Sequence, residues 1–186
     1  MTRLCSLIVG LAVLSVRTGT AQNPTASPPG ARPATQSPQI DCTKLTVDSA
    51  SRTATLELVA GLTDHNSSLN FNGFKDGGLT FTVPLNWNVV VDFRNNDRHL
   101  PHSAEIIDSV KALPPGPVDP SFPRAMTIKL MQGLSTSEVD QMKFVANKAG
   151  TYMIWCAVPG HGLAGMWIRF KVSATERQPS LAATST

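Results

Sequence analysis

The sequence predicts an all-β fold, a Greek-key β-sandwich, with an unstructured N-terminal leader ahead of it. Three observations point there. Short segments alternate apolar and polar side chains with a period of two, as in Thr53-Ala-Thr-Leu-Glu-Leu-Val-Ala60. Turn residues such as Asp76-Gly-Gly78 and Asn95-Asn-Asp97 punctuate them, the pattern of antiparallel strands stacked as two sheets. Residues 22–42, by contrast, are rich in Pro, Ser, Thr, Ala and Gln with no hydrophobic period, too little apolar surface to offset chain entropy.

From the N-terminus, residues 1–21 read as a secretory signal peptide. Arg3 is the positive start, Leu4 to Val16 an apolar run of 13 residues, and Gly19-Thr-Ala21 a small-residue cleavage site. Arg17 ends the run short of the about 20 residues a membrane span needs. Export with cleavage is expected, to a periplasmic or other extracytoplasmic place; the alternative is an N-terminal segment kept as a membrane anchor. Cleavage removes Arg3 and Arg17, leaving 14 basic and 13 acidic side chains, a net charge of +1. No basic run exists, so nucleic acid is not an expected partner. Such weak charge also argues against electrostatic steering.

A domain is expected over residues 43–174, working as a monomer. Its strands should begin near Thr43 and include Thr53–Ala60, Leu79–Val83, Trp87–Arg94, Ser103–Asp108, Met126–Met131 and Gln141–Ala146. In the third of these Trp87, Val89, Val91 and Phe93 share a face. Residues 109–125 carry five prolines and should loop outside the sheets, because proline cannot donate to a ladder. Ser135-Thr-Ser-Glu138 has the spacing of a helical cap, although a plain loop fits equally. Residues 175–186 resemble the leader in composition and are expected to be a flexible, solvated tail.

Chemistry concentrates in Cys156-Ala-Val-Pro-Gly-His161-Gly-Leu-Ala-Gly-Met166. A strand, Gly150 to Cys156, should lead in and another, Met166 to Val172, should lead out. Thiolate, imidazole and thioether in one loop suit copper passing between Cu(I) and Cu(II), in a site of two His and one Cys with a weak axial Met. The loop supplies one histidine, so a second must come from elsewhere. His102 in Pro101-His-Ser103, just before an apolar run, is the candidate, and His99, three residues earlier, is its competitor. The two face opposite sides of an extended chain and should not bind one ion together, while His65 sits in a polar turn and should be open to solvent. Any one of these residues alone is better explained as core or surface. Together they propose His102, Cys156 and His161 as metal ligands, with Met166 axial.

This loop resembles the copper loop of cupredoxins, the blue copper proteins, in the long spacing of rusticyanins and sulfocyanins. The block Asn70-Phe-Asn-Gly-Phe-Lys-Asp-Gly-Gly-Leu-Thr-Phe-Thr-Val-Pro-Leu-Asn-Trp-Asn-Val-Val-Val91, with Leu100-Pro-His102 after it, is most similar to sulfocyanin. The resemblance spans residues 53 to 173 and is loosest over 108–148. Ser103 departs from it: sulfocyanins carry Asn after the first ligand histidine, rusticyanins Ser. What the resemblance implies is a cupredoxin-like fold, one copper ion and no enzymatic activity. It further implies one-electron transport in a respiratory chain, with a cytochrome or terminal oxidase as partner. The small and apolar residues around His161 and Leu163 are the expected docking patch.

Other readings follow from the same residues. A copper chaperone or store would need an exposed, exchangeable site, and a small copper enzyme an open coordination position. A disulfide between Cys42 and Cys156 would consume the thiolate, so Cys42 is expected free or in an intermolecular bridge. Zinc is poorly served by methionine.

Overall fold

The computed structural model describes residues 41–184; the expected signal segment 1–21, and the leader up to residue 40, lie outside the described residues. After a 3-10 turn at Cys42–Lys44 the chain forms β1 (Leu45–Asp48), β2 (Thr53–Ala60), β3 (Leu79–Pro84), β4 (Asn88–Asn95) and β5 (Glu105–Asp108). β6 (Val139–Val145), β7 (Gly150–Trp155), β8 (Trp167–Ser173) and β9 (Ser180–Ala183) follow. Two sheets result, β1-β2-β4-β6 and β5-β7-β8-β3-β9. Among the described residues no helix is long and apolar enough to cross a membrane.

The period-two pattern sets which face goes inward. Ala54, Leu56 and Leu58 of β2 and Val89, Val91 and Phe93 of β4 are buried, against Leu79, Phe81 and Val83 of β3 and Ile168, Phe170 and Val172 of β8. The Phe81 and Phe170 rings lie 5.5 Å apart at the centre of that layer.

The pairing is not antiparallel throughout, as the sequence suggested: β2 pairs with β4, and β3 with β8, in parallel. Between β2 and β4 the chain crosses to the other sheet to make β3. Each crossing reverses its direction, so β4 returns running with β2.

Residues 109–125 stay outside the sheets, as expected, but send Phe122 into the core. Its ring stacks on Phe144 at 5.1 Å and meets Tyr152 at 4.8 Å. The same segment covers the free edge of β5, with Ser121 N–H donating to Ile106 C=O and Ile106 N–H to Ala125 C=O.

Two further expectations are corrected. Residues 126–131 form no strand; only an isolated bridge joins Met126 to Glu105. The Asp140 carboxylate takes the Ile128 N–H, and Lys129 is left-handed (φ 55°), so the segment cannot extend. The tail is not free either. β9 pairs antiparallel with β3 and buries Leu181 opposite Phe81, because the outer edge of β3 carries unpaired backbone groups that a four-residue strand satisfies. At Ser135–Glu138 the chain makes a turn, not a helix. The Glu138 carboxylate still reaches back to the Ser135 N–H, half of a capping box without the helix.

Candidate metal centre

Cys156 follows directly on β7, and its N–H donates to Met166 C=O at 3.0 Å. The intervening loop winds tightly: Met166 N–H donates to His161 C=O and Gly165 N–H to Gly162 C=O. Gly165 has φ 92°, and a Cβ there would lie 2.5 Å from Asp76 Oδ1. The neighbouring connection braces the loop from outside, through Asp76 N–H to Gly165 C=O and the Asn66 amide to Ala164 C=O.

His102 arrives from the β4–β5 connection, clamped by a two-way backbone bridge to Leu134. Its Nδ1 lies 3.2 Å from His161 Nδ1 and 4.0 Å from Cys156 Sγ, and the remaining side, His161 Nδ1 to Sγ, is 3.5 Å. All three side chains offer donor atoms within 4.8 Å of one another. A point equidistant from the triangle's corners lies about 2.1 Å from each, the length of a bond from a first-row metal to nitrogen or sulfur. The donor set therefore fits a single ion, and soft thiolate with two imidazoles fits copper.

Met166 is fully buried, and its backbone is bonded to both Cys156 and His161. His99 is exposed and outside the cluster. His65 is half-buried rather than open to solvent, its ring against Gly73 C=O.

Several residues that tie the site together were not legible as functional. Asp97, which reads as turn chemistry, is buried, and its Oδ2 lies 3.0 Å from His102 Nε2. That bond puts the imidazole proton on Nε2 and leaves the Nδ1 lone pair facing the triangle. Burial works to raise the Asp97 carboxyl, but the amides of His99 and Leu100 and the His102 ring outweigh it and hold it below its ordinary value. Asn95 in turn fixes the turn, accepting the Asp97 N–H and donating to Leu100 and Leu134 C=O. The only signal in the sequence was an Asx residue shortly before a candidate ligand.

Ser103 serves the sulfur through its backbone. Its N–H points at Cys156 Sγ (3.4 Å), while its hydroxyl donates to Leu130 C=O and accepts the Ala157 N–H. Cys156 is a free, buried thiol. Burial pushes it up to about 11, opposed by the Ser103 and Val158 amides. Burial, with His102 beside it, lowers His161 to about 4. Burial also lowers His102, against the pull of Asp97. Both rings are thus neutral lone-pair donors near pH 7, and the thiol must give up its proton to bind an ion.

The sulfocyanin (SoxE) domain family matches residues 41–182. Among curated proteins, a sulfocyanin from Sulfolobus acidocaldarius is 28% identical over 129 residues, covering 64% of this chain; the match spans 63% of that relative's length. A dithionite-reduced auracyanin from Roseiflexus castenholzii is 25% identical with a TM-score of 0.48, covering 64% of this chain and 96% of that one. A reduced rusticyanin is 23% identical with a TM-score of 0.49, covering 71% and 91%. With three-quarters of its length matched by that domain, the chain belongs to the sulfocyanin family of blue copper cupredoxins.

Proposed function

We propose that this chain is an exported carrier of single electrons in a respiratory chain, holding one copper ion through His102, Cys156 and His161, with Met166 as a weak axial ligand. The observation that carries the reading is the triangle of donor atoms, closed to bonding size by contacts among the protein's own groups. Copper, when bound, supplies the exchange between Cu(I) and Cu(II).

The chain's own residues keep that exchange from rearranging the site. Asp97 and the Leu134 bridge fix the His102 ring, the β7 and β8 ends fix Cys156 and Met166, and Asp76 and Asn66 brace the loop between. A frame held independently of the ion costs little to reorganise when its charge changes. Complete burial of the thiol keeps water from it, and it also weighs against a store or chaperone, which must hand its ion over.

The docking face belongs to the same reading. Leu163, in the middle of the metal loop, is 60% exposed, and Leu100, beside His102, 37%. An uncharged apolar face over the half-buried His161 suits brief encounters with a cytochrome or oxidase, which bury little area. The leader and signal segment fit work at or near a membrane, outside the cytoplasm.

The test is the visible spectrum of the copper-loaded, oxidised protein, followed by its reduction by a cytochrome donor. An intense thiolate-to-copper band that disappears on reduction is the expected result. Cys156→Ser should fold without the band, whereas Met166→Leu should keep it and raise the potential, since losing the weak donor destabilises Cu(II) more than Cu(I). A colourless copper complex would favour a store, and a copper site that turns over oxygen an enzyme.

A further inference from the structure

We propose that Glu105 is a proton site linked to the redox state of the copper centre, acting from beneath the metal loop through the Trp155 indole. This rests on the electron-carrier reading above. Glu105 opens β5 opposite Trp155 of β7 and is fully buried. By strand alternation it lies on the same side of β5 as Ile107. That side is a small apolar cluster of Ile107, Met153, Trp155 and Ala157, covered by Leu113 and Leu130. Its Oε2 accepts the Trp155 indole N–H at 3.0 Å. Its Oε1 is buried without a hydrogen-bond partner.

Beyond the Trp155 indole only the Val118 amide lies toward the carboxylate, and it makes no full hydrogen bond to Oε1. An ionised Glu105 would therefore carry charge that is poorly met, whereas the neutral acid costs far less to bury. Burial accordingly raises Glu105 above the ordinary carboxylate range; the Trp155 bond and the Val118 amide pull the other way, and Asp119 pushes it further up. Asp119 is the charged group that faces it from the covering segment. Along β5 the next acid is Asp108, exposed and bonded by the Ser121 hydroxyl. On β7 its partner is Trp155, which stands among the apolar Met153 and Ala157.

Trp155 connects this acid to the metal loop in two ways. It is joined by a peptide bond to Cys156, and its ring lies under Gly162, where a Cβ would come within 2.3 Å of Cε3. A change of charge at the copper site therefore acts on Glu105 across a short, dry path. On reduction, one electron from the donor protein takes Cu(II) to Cu(I). One proton from water then forms the O–H bond of Glu105, and oxidation reverses both. Electron and proton together leave the net charge of the interior unchanged.

The experiment compares the copper-loaded full chain with its Glu105→Gln variant, whose amide oxygen still accepts the indole N–H. Reduction potential is measured against pH. In the wild type it should fall as pH rises, by at most tenfold in the redox equilibrium per pH unit, about 59 mV for one electron. The variant should be flat over the same range, with the band unchanged. Superimposable curves would overturn the proposal. In the metal-free protein the Trp155 indole N–H resonance should show a titration step above the ordinary carboxylate range, absent from Glu105→Gln. A step at the ordinary value, or none, would also overturn it. A missing copper band would instead sink the electron-carrier reading and leave the indole titration to decide on Glu105.

Discussion

Asp97 and His102 form a buried pair, Oδ2 to Nε2 at 3.0 Å, five residues apart across the turn that ends β4. The pair commits the imidazole to one tautomer before any ion arrives. Asp97→Ala should therefore weaken copper binding about 10–100-fold, the usual cost of losing the partner that orients a metal-bound histidine. Competition against a chelator of known affinity measures it. Asp97→Asn, which keeps an acceptor oxygen, should lose less. Unchanged affinity in both would mean that the Leu134 bridge alone fixes the ring.

Cys156 and His161 titrate away from neutrality in opposite directions, and the consequences have definite signs. With the thiol at about 11 and the imidazole at about 4, binding copper at pH 7 should expel one proton from Cys156 and none from His161. Apparent affinity should then rise about tenfold per pH unit through neutrality. Stability of the metal-free protein follows the same groups. His161 is lowered from 6.5, so its contribution is complete above 6.5 and is lost as pH falls toward 4. Cys156 is raised from 9.0, so its contribution is complete below 9.0 and is lost as pH rises through 11. Thermal melts across pH should show a plateau between, and proton release on metal addition can be read with an indicator dye.

Phe122 pins the proline-rich segment to the core, away from the metal. Phe122→Ala should cost about 3–5 kcal/mol in urea unfolding, the range for emptying a buried aromatic site. The copper spectrum should remain, since none of the ring's aromatic partners, Phe144, Tyr152 and Phe170, holds the ion.

Leu163→Glu should leave the spectrum intact and slow reduction by the native donor, because a carboxylate in the docking face must be desolvated at each encounter. The rate in the unaltered protein should depend only modestly on salt, given the net charge of +1 expected once residues 1–21 are removed. A variant as fast as wild type, with distant surface changes slowing it, would move the docking face elsewhere.

What could be read from the sequence is what repeats locally. The spacing of Cys156, His161 and Met166, and the alternation of β2, β3, β4, β7 and β8, are properties of neighbouring residues. The parity of an extended chain separated His99 from His102, but choosing His102 rested on the resemblance of Leu100-Pro-His102 to the family's first ligand, and the cluster contains His102. Ser103 was marked by its place after His102, but its bonds to residues 27 and 54 positions away were not legible. Asp97 and Trp155 escaped because nothing in a turn or a strand marks their buried partners. The parallel pairings are equally silent, since direction depends on where the chain crosses between sheets. β9 was missed because Ser180-Leu-Ala-Ala183 has one large apolar side chain, and its strand exists only because β3 offers an edge.

That last strand also fixes where the chain leaves the fold. Thr184 N–H donates to Gly78 C=O, next to Gly77, whose N–H holds Trp167 C=O, and Asp76, whose N–H holds Gly165 C=O. Anything fused past Thr184 therefore departs beside the brace of the metal loop. A thiol linker added there would tether the protein to a gold electrode from the side that braces the metal loop, and a bulky C-terminal tag would stand beside that brace.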